Sequence, residues 1–267
     1  MKKEDLDKAK KIELEVMDYL DKICKKYDIK YYLFWGTLLG AIRHKGFIPW
    51  DDDIDVAMMP DDYNKFLEVM KNETSDKYYL QNIENTKYCN FTFSKIRKYK
   101  TTMVEEELNY LPFGKGINVD IFPLYKYPKN KLGQMRFNYR FRLANLLLNR
   151  DVKLGGIKGK LIHCFLHLIP RSLNNKIIIR KLNKLLKYNK DFDEYYIRQG
   201  KLFKKEWFSE DITLPFEDKK YKAPSGYDGI LTKLYGDYMT PPPKDKRYGH
   251  GEGGKMLVSF TKEYDEL

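Results

Sequence analysis

The chain has 267 residues, 42% of them hydrophobic and 15% aromatic, which suits a folded core and excludes a disordered chain. It holds no apolar run long enough to span a bilayer, and MKKEDLDKAKK at the start lacks the apolar stretch of a secretory signal. The net charge is +12, and three scattered cysteines (Cys24, Cys89, Cys164) make neither a disulfide framework nor a CxxC metal site, so a reduced, cytoplasmic protein is expected.

The spacing of Ile12, Val16, Tyr19, Leu20 and Ile23 predicts an amphipathic helix over 4–27. Residues 31–36 read as a short aromatic strand and 37–46 as a short helix closed by Gly46. A strand follows over 54–59. A helix over 60–71 then starts on a proline and two acids. Further strands are predicted over 78–83, 91–99, 101–106 and 117–124. Residues 130–150, 157–169 and 172–190 read as basic helices, broken at Gly155, Gly156, Gly159 and Pro170. Residues 227–236 form a helix ended by Gly236, and 239–254 a Pro/Gly-rich loop carrying His250. The fold class is therefore α/β (α+β), a mixed sheet with flanking helices. Residues 1–125 and 206–267 build the core, and 126–205 form a basic helical insert.

Residues 48–59, IPWDDDIDVAMM, place four aspartates in five positions. On a strand, Asp53 and Asp55 point to one face, and two carboxylates there can share a divalent cation. Hard oxygen donors suit Mg²⁺ or Mn²⁺. Asp51 has the same parity but precedes the regular strand, so it either joins the ion or positions the others. Asp52 is expected to point away. Asp120 is a lone carboxylate in an apolar strand and needs a partner. A neighbouring strand carrying Asp53 and Asp55 would supply one through a shared metal, an arrangement used for in-line phosphoryl transfer. The plain alternatives are a solvated acidic turn for 51–53 and a water-facing edge position for Asp120.

Around these aspartates, GTLLGAIRHKGFIPWDDDID (36–55) resembles the signature of the LicD family. That family includes bacterial phosphocholine transferases and animal fukutin-type ribitol-phosphate transferases. KIRKYKTT (95–102), NVDIFPL (118–124), KAPSGYDGILTKLYGDYMTPPP (222–243) and His250 fit as well. The resemblance implies a nucleotidyltransferase-like fold. Gly36 and Thr37 are then its turn before a helix, Asp53 and Asp55 its D-x-D pair, and Asp120 its third acid. It also implies transfer of phosphocholine from CDP-choline to a sugar hydroxyl, with release of CMP. The acceptor is a teichoic-acid, lipopolysaccharide or other surface-glycan precursor. Phosphoribitol or phosphoglycerol from its CDP derivative is the alternative cargo.

A glycine turn at a helix N-terminus offers backbone N–H groups to phosphate. Arg43, Lys45, Lys95 and Arg97 are candidate phosphate ligands, with solvated surface charge as the alternative. Trp35, Trp50, Tyr99, Tyr125 and Tyr248 are candidate walls for a quaternary ammonium group, or ordinary packing residues. Asp120 is the candidate base for the acceptor hydroxyl. His250 is a candidate contact to nucleotide or phosphate, or a loop histidine without function. His163 and His167 have zinc-compatible spacing, but no acidic or cysteine partner is apparent beyond Cys164.

Residues 126–205 hold 21 Lys and Arg against 4 Asp and Glu, a net of +17, which leaves −5 for the rest. GKLIHCFLHLIP (159–170) is apolar with basic residues in and around it. It reads either as an interfacial helix on an anionic membrane or as a helix packed on the core. A polyanionic glycan or lipid-linked acceptor is a third partner for the segment. A basic nucleic-acid-binding module is the competing reading of the whole chain. The acidic core and the lack of RRM, KH or helix-turn-helix signatures argue against it. A cytoplasmic protein with no nucleic-acid partner is therefore expected, and peripheral contact with the inner face of the cell membrane stays open beside core packing for this segment.

Overall fold

The computed structural model describes residues 1–106, 109–151, 156–247, 249 and 256–264; of 156–158, 162 and 199 only the backbone is described. Tyr248 and His250 lie outside the described residues.

The central sheet has five strands in the order β1-β2-β6-β4-β3. They are β1 (Tyr32–Leu33), β2 (Ile54–Met58), β3 (Tyr78–Gln81), β4 (Ser94–Lys98) and β6 (Asn118–Pro123); β5 (Thr102–Glu105) lies outside this sheet. β2 and β6 run parallel, and the other pairings are antiparallel, so the sheet is mixed as expected. All five residues of β2 are buried, as an interior strand with covered faces requires. Helix α1 (Lys3–Lys26) packs against β4 and β6. Helix α2 (Trp35–Arg43) packs against β2. Helix α3 (Pro60–Met70) starts on its proline with Asp61 and Asp62 in the first turn, where the helix dipole favours acids.

The chain then adds β7 (Tyr125–Tyr127), α4 (Lys131–Leu148), α5 (Gly156–His167) and α6 (Arg171–Leu186). Here one expectation is corrected: the basic segment is not helical throughout. Its last part forms β8 (Glu194–Ile197) and β9 (Lys201–Lys204), which join β7 in a second sheet. The alternating burial of Glu194–Ile197 is the two-residue period of a strand with one covered face. Phe137 and Phe141 of α4 and Leu182 and Leu186 of α6 belong to the same buried cluster as the central sheet, so this segment packs directly on the core. A hairpin of β10 (Asp211–Phe216) and β11 (Lys219–Pro224) follows. Then come α7 (Tyr227–Tyr235), closed by Gly236 at φ +69°, and β12 (Met256–Ser259), which pairs with β5.

A second difference bears on the site. The aromatic strand is only two residues long, and α2 already begins at Trp35. Gly36 and Thr37 therefore sit in the first turn of a helix. Trp35 adopts φ +44°, a conformation bulky residues rarely take.

Candidate active site

The parallel pairing of β2 and β6 decides the centre of the site. Their register sets Asp55 directly beside Asp120, and β4 on the other side sets Lys95 beside Asp120. Gln81 of β3 extends this polar row across a fourth strand. The first turn of α2 locks Asp55 in place: Thr37 Oγ1 accepts the Asp55 N–H at 2.8 Å, and the Phe34 N–H donates to the Asp55 carbonyl at 3.0 Å. Burial and the charges of Asp53, Asp120 and Asp51 push the Asp55 carboxyl well above its ordinary range.

Lys95 Nζ donates to both oxygens of Asp120, at 2.6 and 2.8 Å, and Asn118 Nδ2 donates to Oδ1 at 2.6 Å. Burial pulls the Lys95 ammonium down, and Asp120 opposes this. The lysine is thus committed to a carboxylate of its own sheet.

Asp51, Asp53, Asp55 and Asp120 line one cavity of about 330 Å³ with Trp35, Gly36, Phe122, Arg198 and Tyr235. A second cavity of about 460 Å³ lies on the other side, lined by Phe91, Phe93, Lys95, Asn118 and residues of β5 among others. Asp53, Asp120 and Arg198 line both. Asp53 and Asp120 therefore stand where the two cavities meet. The Tyr235 hydroxyl is held protonated by partial burial and by Asp55, Asp51 and Asp53.

Asp51, Asp53 and Asp55 line the first cavity and Asp52 does not, as parity predicts, but Asp52 stays close to its neighbours. β2 begins only at Ile54, so Asp51–Asp53 precede the pleat. One carboxylate oxygen from each of Asp51, Asp52 and Asp53 lies within 4.8 Å of the others, the only such group of three among the described residues. Helix α1 closes over this turn. Lys10 Nζ donates to the carbonyls of Ile48 and Pro49, at 3.2 and 3.1 Å. Glu13, three residues on, is fully buried, and neither carboxylate oxygen has a hydrogen-bond partner. Burial, then Asp53, Asp52 and Asp51, raise its carboxyl well above the usual range. Hard carboxylate donors packed this closely fit a divalent cation, which would relieve their mutual repulsion.

These raised carboxyls predict the pH dependence of stability. Glu13 and Asp55 keep protons in the native state that the unfolded chain releases above ordinary values of 4.5 and 3.8. Their contribution is full below those values and is lost as pH rises through the native ones. In chelator, the melting temperature is expected to fall as pH rises above about 5. Glu13→Gln flattens the slope, and Mg²⁺ restores stability most at the high end.

Gly36 gives a sharper local test. A Cβ there would stand 2.5 Å from Asp51 Oδ2. Gly36→Ala is expected to displace that carboxylate and weaken Mg²⁺ binding by about tenfold or more with little loss of fold, as titration calorimetry would read.

The LicD/FKTN/FKRP nucleotidyltransferase-domain family matches residues 28–145. The lipopolysaccharide cholinephosphotransferase LicD of Haemophilus influenzae is 31% identical over 261 residues, covering 94% of this chain and 97% of that protein. The chain belongs to the LicD family. Shorter stretches, 21% and 18% of this chain, are 41% and 46% identical to uncharacterised proteins of Rickettsia typhi and Rickettsia prowazekii. The chain spans 18% of each of those two proteins.

Within this LicD family chain, the structure gathers Gly36, Asp51, Asp53, Asp55 and Asp120 in one cavity, with Thr37 supporting Asp55 behind it. Of the expected phosphate ligands, Lys95 and Arg97 line the second cavity and not this one. Lys95 is spent on Asp120. Arg97 is buried and donates to Gln81, the Gly116 carbonyl and Asn118, so it braces β3 and β6. Arg43 donates to the Tyr238 carbonyl at 2.8 Å, and Lys45 is exposed; neither lines either cavity. The expected aromatic cage also fails to converge. Tyr125 is buried against Phe137 and Phe141, Tyr99 packs on Tyr79, and Trp50 sits between His44 and Arg247. Among the described members of that set only Trp35 lines the site, joined by Phe122 and Tyr235. His163 and His167 lie against each other and Asp151 Oδ1 stands 3.7 Å from His167 Nε2, but the three form no group of mutually close ligand atoms among the described residues.

Sequence reasoning missed Glu13, Arg198 and Tyr235. Glu13 had a signal: it occupies the apolar stripe of α1, between Ala9 and Val16, where a hydrophobic residue belongs. Arg198 had none, being one of many cations in the basic segment.

Proposed function

We propose that this chain transfers phosphocholine from CDP-choline to a sugar hydroxyl of lipopolysaccharide or a similar surface-glycan precursor, releasing CMP. The observation that carries the reading is the side-by-side pair Asp55 and Asp120, joined by Asp53 where two cavities meet. The near full-length likeness to a lipopolysaccharide cholinephosphotransferase supports the cargo.

Asp53, Asp55 and Asp120 would hold Mg²⁺ or Mn²⁺, with Asp51 and Asp52 beside them. Such an ion, when bound, neutralises phosphate charge and stabilises the attacking and leaving oxygens. Arg198, facing both cavities, offers its planar fork to the diphosphate. The uncapped N-terminus of α2 at Gly36 offers backbone N–H groups to the same oxygens. Trp35, Phe122 and Tyr235 form the aromatic wall for the trimethylammonium group. The acceptor hydroxyl gives its proton to Asp120. Its oxygen bonds to the phosphorus that bears choline, and the bond to CMP breaks, CMP leaving with the electron pair.

CMP release measured with CDP-choline, CDP-ribitol and CDP-glycerol tests this. Metal-dependent release from CDP-choline alone supports the reading. Release from another CDP-alcohol alone changes the cargo, and no release or binding with any of them overturns the donor.

A further inference from the structure

The buried side of α4 is Phe137, Phe141, Ala144, Leu147 and Leu148, which accounts for its packing on the core. Its opposite side should then be polar, but it is not. Leu132 is 57% exposed, Met135 69%, Tyr139 62% and Leu146 42%. Their spacing places them along one exposed stripe of the helix. On α5, Leu161 is 65% exposed, Phe165 67% and Leu168, just past its end, 80%. An apolar depression of about 380 Å³, lined by Leu143, Leu146, Leu161 and Phe165 among others, joins the two stripes. The result is one continuous apolar face across two helices. An exposed face of this kind marks an interaction site.

The surroundings of the face select its partner. Lys131, Arg136 and Arg142 are exposed on α4, and Lys160 is exposed on α5. The whole segment 126–205 carries a net +17. Two copies meeting through this face would bring like charge against like charge. A free polyanion would satisfy the cations but leave the leucines and Phe165 in water. Large apolar side chains flanked by Lys and Arg match an anionic bilayer, whose acyl boundary takes the former and whose headgroups take the latter. No helix among the described residues is long and apolar enough to cross a membrane.

We propose that the exposed α4–α5 face docks this chain on the surface of an anionic lipid bilayer. This stands apart from the phosphocholine reading, since it rests on residues remote from the carboxylates.

Flotation of the full chain with vesicles tests it, comparing phosphatidylcholine alone with phosphatidylcholine containing phosphatidylglycerol. Binding to the anionic vesicles alone is expected. Leu161→Gln/Phe165→Gln/Leu168→Gln should weaken it by about tenfold or more, with metal-dependent CMP release unchanged. A second variant on the other helix, Met135→Gln/Leu146→Gln, should weaken it too, which separates docking from local unfolding of α5. High salt should weaken what remains. Absence of binding to the anionic vesicles overturns the proposal. So does binding that both variants retain, or that soluble polyphosphate competes away equally in wild type and variants. A wild-type dimer that the variants dissolve would assign the face to a second copy instead.

Discussion

Asp55→Asn lowers CMP release from CDP-choline by about a hundredfold or more while the metal-free chain keeps or gains thermal stability. Asp55 is buried, and Asp53, Asp120 and Asp51 oppose its charge. An amide there removes the cost of holding a proton on this buried carboxyl, so stability in chelator should not fall. The same change removes a hard donor from the place where the phosphate charge must be met, so turnover should collapse. Asp53→Asn is expected to lose activity to a similar degree, since Asp53 lines both cavities. Melting temperature in chelator and with Mg²⁺, alongside the CMP assay, reads both sides. A packing residue would lose stability and activity together. A fully active Asp55→Asn chain would remove this carboxylate from the reaction.

Lys95→Met destabilises the chain by about 3 kcal/mol, as expected when one partner of a buried ion pair is removed. Lys95 and Asp120 are largely covered, and the ammonium holds both carboxylate oxygens. Without it, Asp120 stands beside Asp55 with the Asn118 amide as its remaining side-chain hydrogen-bond donor among the described residues. Adding Asp120→Asn to Lys95→Met should restore most of the loss, because the stranded charge is then gone. Urea denaturation of both single variants and the double variant in chelator measures this coupling directly. Additive losses would mean that the two side chains act separately. Activity should fall in all three, since Lys95 fixes the carboxylate that takes the acceptor's proton.

The site was only partly legible in the sequence. The aspartate run and the lone acid at 120 stand out against their surroundings by parity and polarity, and the Gly36–Thr37 turn was legible through the family resemblance. Those positions line the cavity or support it. The cations were the weak point. A lysine on a strand is read equally well as a phosphate ligand or as a salt-bridge partner, and only its cross-strand neighbour decides. Lys95 and Arg97 both pair within the sheet while lining the second cavity. The aromatic residues failed for a related reason: Tyr125 and Trp35 look alike in sequence, but one is enclosed by α4 and the other faces the cavity.

By itself the sequence determined the order of most elements, because helix and strand periodicity, Pro60 and Gly236 act within a few residues of each other. It also determined which carboxylates lacked a local reason to exist. The tertiary structure alone decided that β2 and β6 lie parallel in a register that sets Asp55 beside Asp120. It alone brought Glu13 from α1, Arg198 from the end of β8 and Tyr235 from α7 to the same place. Local patterning reports which face of an element is apolar. Which faces meet depends on how distant segments share one core, and no short stretch of chain carries that information.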